Sequence, residues 1–406
     1  MTHAIPLRRA TLDVSSVLPD DLLAQFANGA SARDQNRVLP YAEVDQLKAT
    51  RFGAVRLPVE EGGAGALISD VVANALRLAS ADSNIAHIWR NHAMLTERLV
   101  VKKSTNPVLK QLRDDVARGA LIGLAGAESV RTQTGGPGVA LSQVIRDGHG
   151  YRFSARKVYS TGSIFADWIV TYAELEDGIR VSLVLPRDRE GITLIDDWDG
   201  MGQKLTGTGT TVFDNVAISE DEIIRPESLH PHITFMSSTV AQLVLTAVIA
   251  GITQAIARDA ADLLGKRDRT FYFAPAEHAG DDPLLLAALG ERQADAFATE
   301  AIVLAAARAL DRASDAIEGG DDAFAAVEAA ALAAAKAKVS VDAIAQRAGS
   351  ALFDIAGASA TTQRHNLDRH WRNLRTVASH NPASYKAFAI GGNLLNGTPV
   401  PSMGFF

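Results

Sequence analysis

The chain of 406 residues contains no cysteine. A disulfide framework, a thiolate nucleophile and a cysteine-ligated metal are excluded, and the redox character of the compartment is left open. Positive charge is scarce: 40 Lys and Arg stand against 47 Asp and Glu, for a formal net charge of -7. That balance argues against a surface built to displace counterions from nucleic acid. No uninterrupted apolar segment reads as a membrane span. The opening residues MTHAIPLRRATLDVSS carry two arginines with no apolar run behind them, so they do not read as a secretory signal and the cytoplasm is expected. Also missing are a GxxxxGK phosphate loop, a GxGxxG turn between strand and helix, and a helical i, i+4 histidine pair beside a carboxylate; no bound metal is expected.

What is present is enough for a large core, with 47% hydrophobic and 21% charged residues, and small molecules are the expected partners. Three regions follow one another. Residues 1–120 read as a helical domain: LPDDLLAQFANGASARDQNR and AEVDQLKATRF have helical spacing, broken by LPVEEGGAGA. A further helix is expected to open at Asp82 or Ser83 and run through NIAHIWRNHAMLTERLV, with Ile85, Ile88, Trp89, Leu95 and Leu99 on one face. Residues 121–234 read as a compact β domain, because YRFSARKVYS, DWIVTYAEL, RVSLVLP and TTVFDNVAI are short, rich in β-branched and aromatic residues, and separated by turn signals. Residues 235–406 read as a helical bundle with one long apolar helix over 238–267 and an alanine-rich one over 321–357. The fold class is mainly α with a central β domain.

Several polar groups stand out against this background. His92 shares the apolar helix face, where it is either a satisfied core histidine or a group that exchanges protons near neutral pH. In KVYSTGSIFADWIV, the hydroxyls of Ser160, Thr161 and Ser163 surround Gly162 between two strands. They form an ordinary loop or a place where hydroxyls and amides bind a heterocycle. TGTGTT, 206–211, leads into a strand and reads as a turn or ligand-adjacent loop. KRDRTF ends the long helix with Lys266, Arg267 and Arg269, cations that either complement the helix dipole or recognise phosphate. LDRHWRNLRTVASHNP, 367–382, crowds Arg369, His370, Trp371, Arg372, Asn373 and Arg375 together. An internal salt-bridge network accounts for some of this; an anionic ligand accounts better for surplus cations in an acidic protein.

The order of these regions, with FGAVRLPVEEGGAGA and FDIAGASATTQ, resembles the acyl-CoA dehydrogenase superfamily: an N-terminal helical domain, a β-barrel-like middle domain and a C-terminal four-helix bundle. RKVYSTGSIFADWI, IDDWDGMGQKLTGTGTTVFDNV and the HWRN segment followed by His-Asn-Pro resemble its flavin-dependent monooxygenase branch, which includes dibenzothiophene monooxygenase and sulfur-acquisition oxidoreductases. The resemblance implies a monooxygenase using FMN reduced by a separate NAD(P)H:flavin reductase. Through a flavin C4a-(hydro)peroxide, one oxygen of O2 would pass to a small organosulfur compound, in a homotetramer.

By the same resemblance, Ser160 and Thr161 lie along the flavin ring, and Arg269 reaches the flavin phosphate of a neighbouring subunit. Gly357 and Ser359 lie near the flavin tail; His370, Arg372 and Asn373 belong to the flavin site; His92 and His380 face the reactive edge. Two positions depart from the branch: Leu124 stands where an asparagine is common, and Thr96 where a tyrosine occurs. The alternatives are an FAD-dependent acyl-CoA dehydrogenase and a non-catalytic flavin-binding protein. The first lacks an agent, since neither 238–267 nor AIGGNLLNGTPVP contains the glutamate that α-proton removal needs.

Overall fold

The computed structural model describes residues 13–100, 104–128, 142–319, 323–402 and 406. The first twelve residues, read above as lacking a secretory signal, lie outside them. Six helices come first: α1 (Asp20–Asn36), α2 (Tyr41–Ala49), α3 (Ile68–Ala81), α4 (Ser83–Ile88), α5 (Arg90–Val100) and α6 (Pro107–Ala117). Asp82 caps α4 by accepting from the Asn84 N–H at 2.9 Å, and Asn106 caps α6 ahead of Pro107.

Nine strands follow: β1 (Ile122–Ala125), β2 (Ala127–Glu128), β3 (Gln143–Asp147), β4 (Gly150–Val158), β5 (Trp168–Leu175), β6 (Arg180–Pro186), β7 (Ile192–Ile195), β8 (Thr210–Ile218) and β9 (Ile223–Ile224). They make one mixed sheet in the order β7-β8-β4-β3-β5-β6-β9, with β1 parallel to β5 and β2 antiparallel to β4. β5 and β6 pair in register from Trp168 opposite Pro186 to Glu174 opposite Arg180. Their inward residues are buried while the hairpin end is polar.

The chain then returns to helix: α7 (Ile233–Gly265), α8 (Pro283–Glu318), α9 (Phe324–Ala356), α10 (Asp368–Ala378) and α11 (Ala383–Asn396). α7 packs against α3, α8 and α9 and is buried along most of its length. Alanines such as Ala306, Ala309, Ala334 and Ala345 line the buried sides of α8 and α9, which lets the three long helices approach closely.

Three expectations are corrected. α7 is, by length and composition, apolar enough to cross a membrane, contrary to the reading of the sequence; 94% of its apolar window is nevertheless buried by protein. It begins at Ile233, earlier than residue 238, because the apolar ITFM segment extends it. The helix expected to run unbroken from Ser83 is two helices. Trp89 leaves the regular ladder, its N–H bonding Ala86 O at 3.3 Å, and α5 begins after it at Arg90.

Candidate functional site

The break at Trp89 decides where the polar side chains go. His87, before it, faces Gln203: its Nδ1 lies 3.1 Å from Gln203 Oε1, while Gln203 Nε2 donates to Ser83 Oγ at 3.1 Å. The amide orientation makes Nδ1 the protonated nitrogen and leaves Nε2 as the acceptor of the ring. After the break, Asn91 Nδ2 donates to the Thr161 carbonyl at 3.1 Å and Arg90 Nη1 to Asn91 Oδ1 at 3.3 Å. His92 turns elsewhere. Its Nε2–H donates to Gly53 O at 2.9 Å, and its Nδ1 accepts from the Ile122 N–H at 3.1 Å.

Thr161 belongs to the turn after β4, where Gly162 has φ 80° and a Cβ would lie 2.7 Å from Ile88 O. That close approach seats the hydroxyl loop on the end of α4. From it a chain of hydroxyls runs inward: Thr161 Oγ1 to Thr208 Oγ1 at 2.8 Å, Thr208 to Thr206 Oγ1 at 2.6 Å, and Thr206 to Gln203 O at 2.9 Å. The Gln203 N–H then donates to Asn373 Oδ1 at 2.6 Å. The loop 206–211 is thus a connector between the hydroxyl turn and α10. Ser160 Oγ and Ser163 Oγ are buried with no hydrogen-bond partner, as is Gln242 Nε2 on α7. Such groups carry a desolvation cost that an acceptor-bearing ligand would relieve.

His380 sits in the turn between α10 and α11. The residue is exposed. Desolvation among its neighbours, then Arg90, His87 and Lys338, hold its pKa well below the usual imidazole value. Burial, followed by the Arg90 cation, pushes His87 down to about 4. Burial does the same to His92, and to Arg90 down to about 10. Groups from α4, α5 and the α10–α11 turn, two neutral imidazoles and a guanidinium, thus act on one another electrostatically. The charged side chains that depress these imidazoles are Arg90 at His87, and Arg90 and Lys338 at His380.

Comparison with known proteins settles the fold. The Acyl-CoA dehydrogenase, C-terminal domain matches residues 243–385. The structure of methanesulfinate monooxygenase MsuC from Pseudomonas fluorescens superposes with a TM-score of 0.85 at 28% identity, covering 97% of this chain and 99% of that one. The fold is that of the acyl-CoA dehydrogenase superfamily. Within the superfamily the sequence resemblance runs to the flavin-dependent monooxygenase branch. A probable FMNH2-dependent monooxygenase, SfnC of Pseudomonas putida, is 29% identical over 94% of this chain and 95% of its own length. A dibenzothiophene monooxygenase of Mycolicibacterium goodii is 28% identical over 88% of each.

The superfamily fold places the remaining residues as follows. Two of the cations of α10 have carboxylate partners within the chain, while Arg375 Nη1 donates to Gln346 Oε1 at 3.5 Å. Arg372 forks onto Asp34 at 2.8 Å and Asp368 at 2.7 Å, and Arg369 binds Asp259 at 2.6 Å. His370 donates Nε2–H to the same Asp259 oxygen at 2.8 Å. Against burial, the hydrogen bond from His370 and the neighbouring arginines hold the Asp259 carboxyl well below the usual carboxylate range. His370 and Arg372 thus act as positioning groups for α10, and Asn373 as the link to Gln203.

Arg269 is exposed just past the end of α7. Its carbonyl accepts from Arg267 Nε at 2.8 Å, and Arg267 Nη1 donates to Ile355 O at 2.9 Å. The ends of α7 and α9 therefore form one corner, which brings Arg269 toward Gly357 and the exposed Ser359. Leu124 is buried in the apolar cluster under β1. Thr96 bonds its own helix through His92 O at 2.8 Å. Beside it lies an apolar cavity of about 30 Å³ lined by Phe52, Val55, Trp89, Ala93 and Val244. Sequence reasoning noted Arg90 beside His92 but missed His87 and Gln203; the signal for His87 was its i, i+3, i+7 spacing with Asn84 and Asn91, which places the three on one helical face.

Proposed function

We propose that the protein is a two-component flavin-dependent monooxygenase that takes reduced FMN from a separate NAD(P)H:flavin reductase and oxygenates a small organosulfur compound. The observation that carries this reading is the hydrogen-bonded network that joins the buried Thr161 turn through Thr208, Thr206 and Gln203 to His87 and Asn373. A dehydrogenase acting α to a thioester needs a carboxylate base, and neither α7 nor α11 contains a glutamate.

The residues of the turn fit the flavin. The orphaned Ser160 hydroxyl and the Thr161 hydroxyl, both buried, would bond the polar edge of its ring. Arg269 would reach the phosphate of a neighbouring subunit's FMN, with Gly357 and Ser359 near the flavin tail. When bound, reduced FMN supplies the two electrons that activate O2, so that one oxygen atom enters the substrate and the other leaves as water.

His380, neutral and exposed, would hold or pass the proton at its imidazole, with His87 Nε2 as a second acceptor. Ile85, Trp89 and Leu95, all buried, keep water from the reacting edge. His92, bonded by backbone on both nitrogens, is reassigned from proton handling to bracing α5 against β1 and the 52–54 turn. The cavity beside Thr96 suits a small apolar group of the substrate. Large apolar side chains at the surface, among them Tyr272, Phe273, Phe388 and Leu394, exposed by 80%, 78%, 80% and 86%, support a homotetramer; the cytoplasm remains the proposed compartment.

The test is turnover with reduced FMN under 18O2 against dialkyl sulfides, sulfones and alkanesulfinates. One 18O atom in a product supports the assignment. Reduction of bound flavin by an acyl-CoA, with no oxygenated product, overturns it.

A further inference from the structure

The turn that carries His380 is held from both sides. On one side, Asn381 Nδ2 donates to Gln242 Oε1 of α7. On the other, Lys338 of α9 donates from Nζ to the carbonyl of Ala378, the last residue of α10, at 3.0 Å. Lys338 is 3% exposed and paired with Asp342 one turn along the same helix. An ammonium in such a place costs several kcal/mol in desolvation unless its donors are used, as a rough guide for buried ions. Here they are used by one carboxylate and by one of the four carbonyls that the end of α10 leaves without helical partners.

We propose that Lys338 is a positioning residue for His380. It ties the end of α10 to α9 and so fixes the imidazole between Ala378 and Asn381. A neutral side chain of the same volume would fill the space but would not grip the carbonyl.

The charged and titratable groups around the pair are spread over four elements. His380 is faced by His87 of α4, Arg90 of α5 and Lys338 of α9, with Asn381 beside it in the turn. Lys338 is faced by Asp342 of its own helix and Arg375 of α10, and it acts in turn on Lys386 of α11. Loss of Lys338 alone would strand Asp342, so the informative change removes both charges. The inference rests on the reading of His380 as the proton-handling group, and its test is built to separate the two.

The experiment is NMR titration of the histidine ring signals in the full, FMN-free chain, with His380→Asn as the assignment control, together with amide exchange at 379–381. In Lys338→Met/Asp342→Leu, the His380 titration should move to higher pH and these amides should exchange on the order of tenfold faster. Lys338→Arg should restore both toward the wild type. Should the double variant not fold, Lys338→Gln/Asp342→Asn, which removes both charges with little loss of volume, must still raise the titration. An unchanged titration and unchanged exchange in a folded variant overturn the inference, whatever the turnover. A moved titration with unaltered product yield upholds the positioning and instead removes His380 from the chemistry.

Discussion

Asn373 accepts a hydrogen bond from the Gln203 backbone N–H at 2.6 Å, and the side chain of that same glutamine reaches His87 at 3.1 Å. Through one residue, the helix that contains the HWRN segment is coupled to an imidazole of α4. The hydroxyls of Thr206, Thr208 and Thr161 continue the network to the turn after β4. The site is therefore organised by a loop of the β domain that touches both helical regions.

Gln203→Leu should expose that role. The His87 Nδ1–H and Ser83 hydroxyl would lose their partner, at about 1–3 kcal/mol of stability for a buried group left unsatisfied. Thermal denaturation checks the first effect. Turnover should fall about tenfold, equivalent to roughly 1.4 kcal/mol in the barrier, with more reduced FMN lost to hydrogen peroxide.

His92→Phe and His380→Asn should separate support from chemistry. The first leaves Gly53 O and the Ile122 N–H unpaired in the core and should lower stability by about 1–3 kcal/mol for each. Among molecules that fold, product per reduced FMN should stay near the wild-type value. His380→Asn should keep its melting temperature and FMN affinity while product yield falls and hydrogen peroxide rises, read by paired product and peroxide assays.

Stability should depend on pH through the buried imidazoles. His87, His92 and His370 titrate near 4 in the folded chain, against about 6.5 when unfolded. Between those values the unfolded chain binds protons that the folded chain does not, so stability is complete above about 6.5 and is lost as pH falls toward 4. The limiting slope is about 1.4 kcal/mol per pH unit for each histidine. Denaturant unfolding at a series of pH values measures it; removal of His92 should make the slope shallower.

Arg269→Ala should raise the Kd for reduced FMN on the order of tenfold, the loss of one charge-assisted contact, without moving the melting temperature. The residue is exposed, and its side chain is not part of the core. Anaerobic binding titration and thermal denaturation together make the check.

The order of helical, β and helical regions was legible because periodicity changes twice along the chain and turn residues mark each change. The turn at Ser160 and Thr161 was legible as a loop between strands, but its bonds to Thr208 and Asn91 were not, because those partners lie in other elements. The break at Trp89 was not, since nothing in NIAHIWRNHAM forbids a continuous helix, and an error there exchanges His87 for His92. The ion pairs of α10 were only partly legible: Asp368 is local to Arg372, but Asp34 and Asp259 lie far away in the chain on other helices. Pairing at that distance is a property of packing, not of local pattern.

The central claim, that this chain uses reduced flavin to activate oxygen, is tested most directly by rapid mixing. Protein with anaerobically reduced FMN is mixed with oxygenated buffer while absorbance is followed. The account predicts a transient spectrum, distinct from reduced and oxidised FMN, that precedes oxidised flavin and decays faster with an organosulfur substrate. Direct passage to oxidised FMN at the rate seen without protein, with or without candidate substrates, would contradict it.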